Sequence, residues 1–306
     1  MISIIIPTLN GGLLFKKVLA SINTQQIEEE YELLVIDSCS DDGSASYARE
    51  CGAHVISVQR KDFDHGGTRT MAAGEAKGDI LLFMTQDAVL ADSKAIAHLI
   101  APLRDHENIA VSYGRQLPCE NATPAAAHLR YSNYPDTSAT RSYEDRKKYG
   151  LKTVFVSNSF AAYKKELLKK VGYFQDGLIF GEDTCTVGRL LLNGYAVQYV
   201  SEATVYHSHN YSLPEEFKRH FDIGVLHSSE NWLLQEYGNA ESHGASYVKS
   251  AVLYYLQNGV WYFLPDLFVR CGVKYIAYKL GRGYKRLPDV LRQRFSTNPF
   301  WWNKKL

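Results

Sequence analysis

Five short segments carry side chains able to bind or move charge. Asp37 closes the apolar run Leu33-Leu34-Val35-Ile36 and precedes Ser38-Cys39-Ser40-Asp41-Asp42-Gly43. A carboxylate at a strand's end accepts hydrogen bonds from a ribose or a base, and small neighbours let the ligand approach. Asp41-Asp42-Gly43 also reads as a turn and helix cap. Asp87 follows Phe83-Met84-Thr85-Gln86, and a carboxylate there suits Mg²⁺ or Mn²⁺, ions that bridge to substrate phosphates. Gly181-Glu182-Asp183 opens an amphipathic stretch with Val187, Leu190 and Leu191. Its acids complement a helix dipole, or one of them serves as a general base within reach of a substrate hydroxyl. In Tyr206-His207-Ser208-His209 an extended backbone points the two imidazoles to opposite sides, so only one is expected to join Asp87 on an ion. Finally, Phe63-Asp64-His65-Gly66-Gly67-Thr68-Arg69 places glycines at a helix start, where bare N–H groups and Arg69 could receive an anion.

The pattern between these segments predicts the scaffold. Apolar runs at Ile2–Pro7, Tyr31–Asp37, His54–Val58, Asp79–Met84 and Ile109–Tyr113 read as strands. Between them Leu13, Leu14, Val18 and Ile22 fall at helical spacing, as do Ala45, Ala48 and Cys51, then Gly67–Lys77 and Ser93–Leu103. This alternation implies an α/β fold, a Rossmann-like, mostly parallel sheet with helices on both faces. Ligands bind such sheets beyond the carboxyl ends of the strands. The residues found there are Thr8, Asp37, Arg60 and Thr85-Gln86-Asp87. Periodicity fades from Gln116 to Lys152, a long loop or short helices over the site. Order returns with Val154–Val156, helices over Lys164–Val171 and Thr184–Asn193, and a strand over Ala196–Val200. Beyond Leu213 the chain reads as helical. Two units are expected, residues 1–210 and a helical extension over 211–306.

The 306 residues hold 34 Lys and Arg against 33 Asp and Glu, a balance that gives no sign of a nucleic-acid partner. From Arg270 onward, however, ten basic residues face one acid, Asp289. Tyr275, Tyr278, Tyr284, Phe295, Phe300, Trp301 and Trp302 are interleaved with them. Such a segment suits an anionic membrane surface; packing onto the catalytic domain and a homodimer contact are the alternatives. Five scattered cysteines without a Cys-x-x-Cys predict neither disulfides nor a thiolate metal site. No signal peptide or membrane span is legible, so a cytoplasmic protein, peripheral at the inner face of the plasma membrane, is expected.

Taken in order, Pro-Thr-Leu-Asn after the first strand, Val-Ile-Asp-Ser with Asp-Asp-Gly-Ser, an Asp after the fourth strand, Gly-Glu-Asp and a late His resemble family 2 glycosyltransferases of the GT-A fold. The Phe-Asp-His-Gly-Gly-Thr-Arg and Thr-Gln-Asp-Ala segments narrow the likeness to bacterial rhamnosyltransferases that build O-antigen and capsular polysaccharide from dTDP-L-rhamnose. The resemblance covers residues 1 to about 210. It implies that Pro7, Thr8, Asn10 and Asp37 hold the nucleoside, with Arg69, His65 and Gln86 near the donor. It also implies that Asp87 and His207 bind Mg²⁺ or Mn²⁺, and that Asp183, with Glu182 beside it, is the catalytic base of an inverting displacement onto a glycan or lipid-linked glycan. The first acid of the family's DXD motif is Thr85 here and the residue after its last acid is Ala88, which leaves the ion fewer carboxylates. Two other classes stay open. A sugar nucleotidyltransferase has a similar Gly-Gly-Thr-Arg loop, but after its first strand; a non-catalytic nucleotide-sugar-binding scaffold would tolerate the incomplete DXD.

Overall fold

The computed structural model describes residues 1–238 and 244–303. Nine strands among them form one sheet: β1 (Ile2–Thr8), β2 (Tyr31–Asp37), β3 (His54–Ser57), β4 (Ile80–Met84), β5 (Val89–Leu90), β6 (Ile109–Leu117), β7 (Ala139–Arg141), β8 (Phe160–Lys164) and β9 (Ala196–Tyr206). Their order is β3-β2-β1-β4-β8-β6-β9-β5, with β7 also paired to β9. The first four neighbours are parallel, as the strand–helix alternation requires. Beyond β4 the sheet is mixed, because β8 runs antiparallel between β4 and β6. The apolar run that forms β8 is short and leads straight into a helix, so its pattern cannot separate strand from buried helix.

The helices are α1 (Gly12–Asn23), α2 (Ser44–Glu50), α3 (His65–Glu75), α4 (Ala95–Asp105), α5 (Pro124–Asn133), α6 (Arg146–Tyr149), α7 (Lys165–Lys170), α8 (Glu182–Leu192), α9 (Leu213–Ser229), α10 (Trp232–Tyr237), α11 (Gly244–Gln257), α12 (Leu264–Arg282), α13 (Asp289–Phe295) and α14 (Pro299–Asn303). Successive side chains of a strand point to opposite faces, and β1 shows the result. Ile2, Ile4 and Ile6 pack with Phe15, Val18 and Leu19 of α1 and Ile96 and Leu99 of α4. Ile5 faces the other way, toward Ala72 and Ala73 of α3 and Leu190 and Leu191 of α8. The segment 116–152 resolves into the end of β6, α5, β7 and short helical turns.

The C-terminal helices close onto this second face. Phe221 and Val225 of α9, Leu233 of α10 and Trp301 and Trp302 of α14 belong to the same core as Ile5. α12 lies against α9 with almost no side chain between them. A Cβ on Gly281 would sit 2.0 Å from the Phe221 carbonyl oxygen, and one on Gly224 would sit 2.3 Å from that of Tyr278. The tail is therefore not a free basic arm. Trp301, Trp302 and Tyr278 are buried, and Phe295 packs edge-on against Phe217, while Tyr275 and Phe300 remain exposed. Lys304 and Lys305 lie outside the described residues.

Candidate active site

The parallel strands deliver the first group of predicted residues to one edge. Thr8 pairs with Asp37 in register, and pairing with β4 stops at Ile5, two residues before Pro7, which has no N–H to donate. Gln86 fastens the two strand ends together. Its Oε1 accepts from Thr8 Oγ1 at 2.7 Å and from the Leu9 N–H at 2.8 Å, and its Nε2 donates to the Leu9 carbonyl at 3.2 Å. Asn10 takes a left-handed φ of 49° and its Oδ1 accepts from the Asp41 N–H at 2.9 Å. Asp37 is buried, and its Oδ2 accepts from the Ser40 N–H at 3.1 Å. Its Oδ1 is buried without a partner, an acceptor that a ligand N–H or O–H would satisfy.

The glycine-rich turn does not offer an anion cradle. The Gly67 N–H donates to Asp64 Oδ1 at 2.7 Å, the N-cap bond of α3. A Cβ at Gly66 would fall 1.8 Å from the Gln175 carbonyl oxygen, so this glycine serves close packing. Arg69 turns inward, where its Nη1 is 2.8 Å from Glu182 Oε1 and both side chains are buried. His65 stays exposed at the first residue of α3.

Asp183 is half-buried beside that ion pair. Its Oδ1 accepts from the Thr184 N–H at 2.7 Å and its Oδ2 from the Asn158 N–H at 3.3 Å. Burial and the neighbouring Glu182 charge nevertheless push its carboxyl up to about 6. Glu182 shifts the other way: burial would raise it, but Arg69 and His65 hold it below the usual carboxylate range. One acid is thus fixed as a carboxylate while its neighbour titrates near neutral pH, a division that suits a proton acceptor.

The second cluster corrects an expectation. Asp87, His207 and His209 each offer a ligand atom, all within 4.8 Å of one another, so both imidazoles converge on Asp87. The alternation argument failed because β9 ends at Tyr206; the histidines follow the strand, where a period of two no longer applies. His207 Nε2 is 3.4 Å from Asp87 Oδ1, His209 Nε2 is 3.6 Å from Asp87 Oδ2, and the two Nε2 atoms are 3.1 Å apart.

Gln116, buried at the end of β6, fixes which nitrogen of His207 is bare. Its Oε1 accepts from Arg130 of α5. Arginine only donates, so this atom is the amide oxygen. The same oxygen is 2.9 Å from His207 Nδ1, which must carry the proton. His207 Nε2 then faces Asp87 with its lone pair, and either a second proton or a divalent cation reconciles them. Burial and the His207 ring push His209 down to about 4, leaving it neutral with a lone pair to offer. Burial raises the Asp87 carboxyl, but His207, Thr85 and His209 outweigh that and hold it well below the usual range. The donor set of one carboxylate and two imidazole nitrogens fits a divalent cation.

Ser157-Asn158-Ser159 joins the clusters. Ser157 Oγ accepts from Gln116 Nε2 at 3.1 Å. Asn158 donates its N–H to Asp183 and its Nδ2 to Glu182 at 3.4 Å, and the Ser159 carbonyl accepts from the Thr85 N–H at 3.4 Å. Sequence reasoning missed Gln116, Asn158 and His209. The available signal was a polar triplet wedged between Val156 and the apolar Phe160-Ala161-Ala162.

The glycosyl transferase family 2 model matches residues 3–172, more than half of the chain, from the second residue of β1 through the whole of β8. The protein belongs to this family. Over nearly its full length it is similar to two curated members. It is 40% identical over 304 residues, 99% of this chain and 96% of the relative, to the O-antigen chain rhamnosyltransferase RfbN of Salmonella typhimurium. It is 35% identical over 302 residues, 98% and 95% respectively, to the O-antigen chain rhamnosyltransferase WbaN of Salmonella anatum. The fold is similar to that of a mannosyltransferase from Pyrobaculum calidifontis in complex with GDP-Man and Mn²⁺. The TM-score is 0.60 at 16% identity, covering 99% of this chain and 86% of that one. The family 2 enzyme is therefore a glycosyltransferase of the GT-A type, with C-terminal helices folded onto its core.

Proposed function

We propose that the enzyme transfers L-rhamnose from dTDP-L-rhamnose, with inversion, to a hydroxyl of a growing polysaccharide carried on a lipid. The two rhamnosyltransferase relatives that align along almost the entire chain support the sugar and the acceptor class. Asp37 Oδ1, buried and unpartnered, is positioned to accept from thymine N3–H or the 3′-hydroxyl. Asp87, His207 and His209 would hold a divalent cation, which when bound would supply positive charge to the donor diphosphate. Two imidazoles among three ligands favour Mn²⁺ over Mg²⁺, which prefers oxygen ligands. Mn²⁺ with a nucleotide sugar in the Pyrobaculum calidifontis neighbour agrees with this.

Asp183 takes the proton of the acceptor hydroxyl as its oxygen attacks the anomeric carbon, while the bond from that carbon to the diphosphate breaks on the opposite face. Burial and the negative charge of Glu182 raise the Asp183 pKa, and Arg69, paired with Glu182, partly offsets that rise. Backbone hydrogen bonds from Asn158 and Thr184 orient its two oxygens. The enzyme acts in the cytoplasm, peripheral at the inner face of the plasma membrane.

The observation that carries this reading is Asp183, lifted to about 6 and tied through Ser157-Asn158-Ser159 to the Asp87 cluster. The test is incubation of the purified enzyme with dTDP-L-rhamnose, Mn²⁺ and a glycan acceptor. Release of dTDP with a rhamnosylated product is expected. Release of pyrophosphate from dTTP and rhamnose 1-phosphate, supplied in a parallel incubation, would make the protein a nucleotidyltransferase; preference for a UDP or GDP sugar would discard rhamnose, and no turnover of any donor would leave a binding scaffold.

A further inference from the structure

Among the described residues, nearly half of the large apolar side chains that remain exposed fall between positions 253 and 276. On α12, Phe268, Val269, Tyr275 and Ile276 are each more than half exposed. With Gly272 and Lys279 they recur every three to four residues, so they line one face of the helix. The opposite face carries Leu267, Ala277, Tyr278 and Gly281, all buried, and is clamped to α9 through the Gly224–Gly281 approach. The exposed stripe therefore belongs to a firmly seated helix. It extends for roughly 17 Å, at about 1.5 Å per residue, and continues at the helix start into the exposed turn of Trp261 and Tyr262.

Charge of one sign frames the stripe. From 244 to 286 the chain has seven Lys and Arg and a single acid, Asp266, which is paired with Arg270 at 2.6 Å. Lys279, Lys285 and Arg286 at the far end are exposed. No helix among the described residues is long and apolar enough to cross a membrane. A stripe of this length with aromatic residues at one end and cations at the other suits a helix lying in the plane of an interface. A second copy docked in parallel, about a twofold axis along the helix, would set these cations against their own kind, whereas an anionic leaflet offers the opposite sign along the whole stripe.

We propose that α12 is the membrane-docking helix of this enzyme, its Phe268–Ile276 stripe seated at the headgroup–acyl boundary of an anionic bilayer. Trp261 and Tyr262 sit among the headgroups, and Lys279, Lys285 and Arg286 meet lipid phosphates. The docking surface is the outer face of α12, not Trp301 and Trp302, which are folded into the core. It holds whichever sugar the active site transfers.

The test is co-sedimentation of the full-length protein with vesicles of phosphatidylcholine alone or mixed with phosphatidylglycerol. Wild type is expected to partition onto the mixed vesicles and to be released by salt. The double variant Phe268→Ser/Ile276→Ser should bind on the order of tenfold more weakly. Lys285→Glu and Arg286→Glu should each weaken binding by roughly fivefold or more. Because these side chains are exposed, melting temperature and dTDP binding should stay at wild-type values, which separates loss of docking from loss of the donor site. Failure of wild type to bind the mixed vesicles, or undiminished binding by the stripe variant, would overturn the proposal. So would a dimer in light scattering that the stripe variant dissolves.

Discussion

Asp87 and Asp183 are both half-buried carboxylates linked through Ser157-Asn158-Ser159, yet their surroundings push them in opposite directions. Asp87 faces two imidazoles and is held ionised; Asp183 faces Glu182 and is raised to about 6. Burial acts in the same direction on both, so the neighbour decides. An acid that receives hydrogen bonds and positive charge from neighbouring imidazoles stays ionised, and an acid beside a fixed negative charge keeps its proton to higher pH. The contrast also explains the spare acid in Gly-Glu-Asp. Glu182 is engaged with Arg69 and is expected to act on the reaction through Asp183.

The comparison breaks most visibly at the base. Asp183→Asn should lower kcat by roughly 10²–10⁴-fold while leaving donor affinity nearly intact, as steady-state kinetics with dTDP-rhamnose would register. The same substitution should stabilise the protein near neutral pH. A carboxyl whose folded pKa lies above its unfolded value contributes stability at low pH that is lost as pH rises through about 6. Removing the charge removes that loss, so Asp183→Asn should melt above wild type at pH 7.5 and with wild type at pH 4.

Asp87→Ala should weaken Mn²⁺ binding by more than about 10²-fold, since losing a ligand exceeds the effect of losing a ligand's partner. Gln116→Leu leaves all three ligands in place but frees the His207 ring. It should weaken Mn²⁺ binding by roughly 10–100-fold without moving the pH dependence of kcat. The smallest effect is the most specific. Because Asp183 must be ionised to accept a proton, the rate of the wild type should fall as pH drops through about 6. Glu182→Gln removes the charge that raises Asp183, so this acid limb should move to lower pH, as a pH–rate profile would reveal.

How legible the site was follows from how it is assembled. Thr8, Asp37 and Asp87 lie at or within three residues of the end of an apolar run, and a parallel sheet gathers such positions on one edge, so the strand ends alone picked them out as candidates. Gly-Glu-Asp at a helix start was equally local. Gln116 and Asn158 were hidden because their meaning depends on distant partners, Arg130 and His207 for one and Glu182 and Asp183 for the other. The pairing of His207 with His209 was misjudged for want of one boundary, the end of β9. In the fold, β8 escaped notice because four apolar residues and a lysine before a helix carry no period of their own. The tail was legible only in part: composition cannot separate an aromatic ring that anchors a core, such as Trp302, from one that faces outward, such as Tyr275.

The separation of roles is tested most directly by calorimetric titration of dTDP into wild type, Asp87→Ala and Asp183→Asn, each with and without Mn²⁺. Tight, Mn²⁺-dependent binding by wild type and Asp183→Asn, with the Mn²⁺ effect lost only in Asp87→Ala, is the expected result. Loss of the Mn²⁺ effect in Asp183→Asn, or its survival in Asp87→Ala, would contradict the assignment of one carboxylate to the ion and the other to the proton.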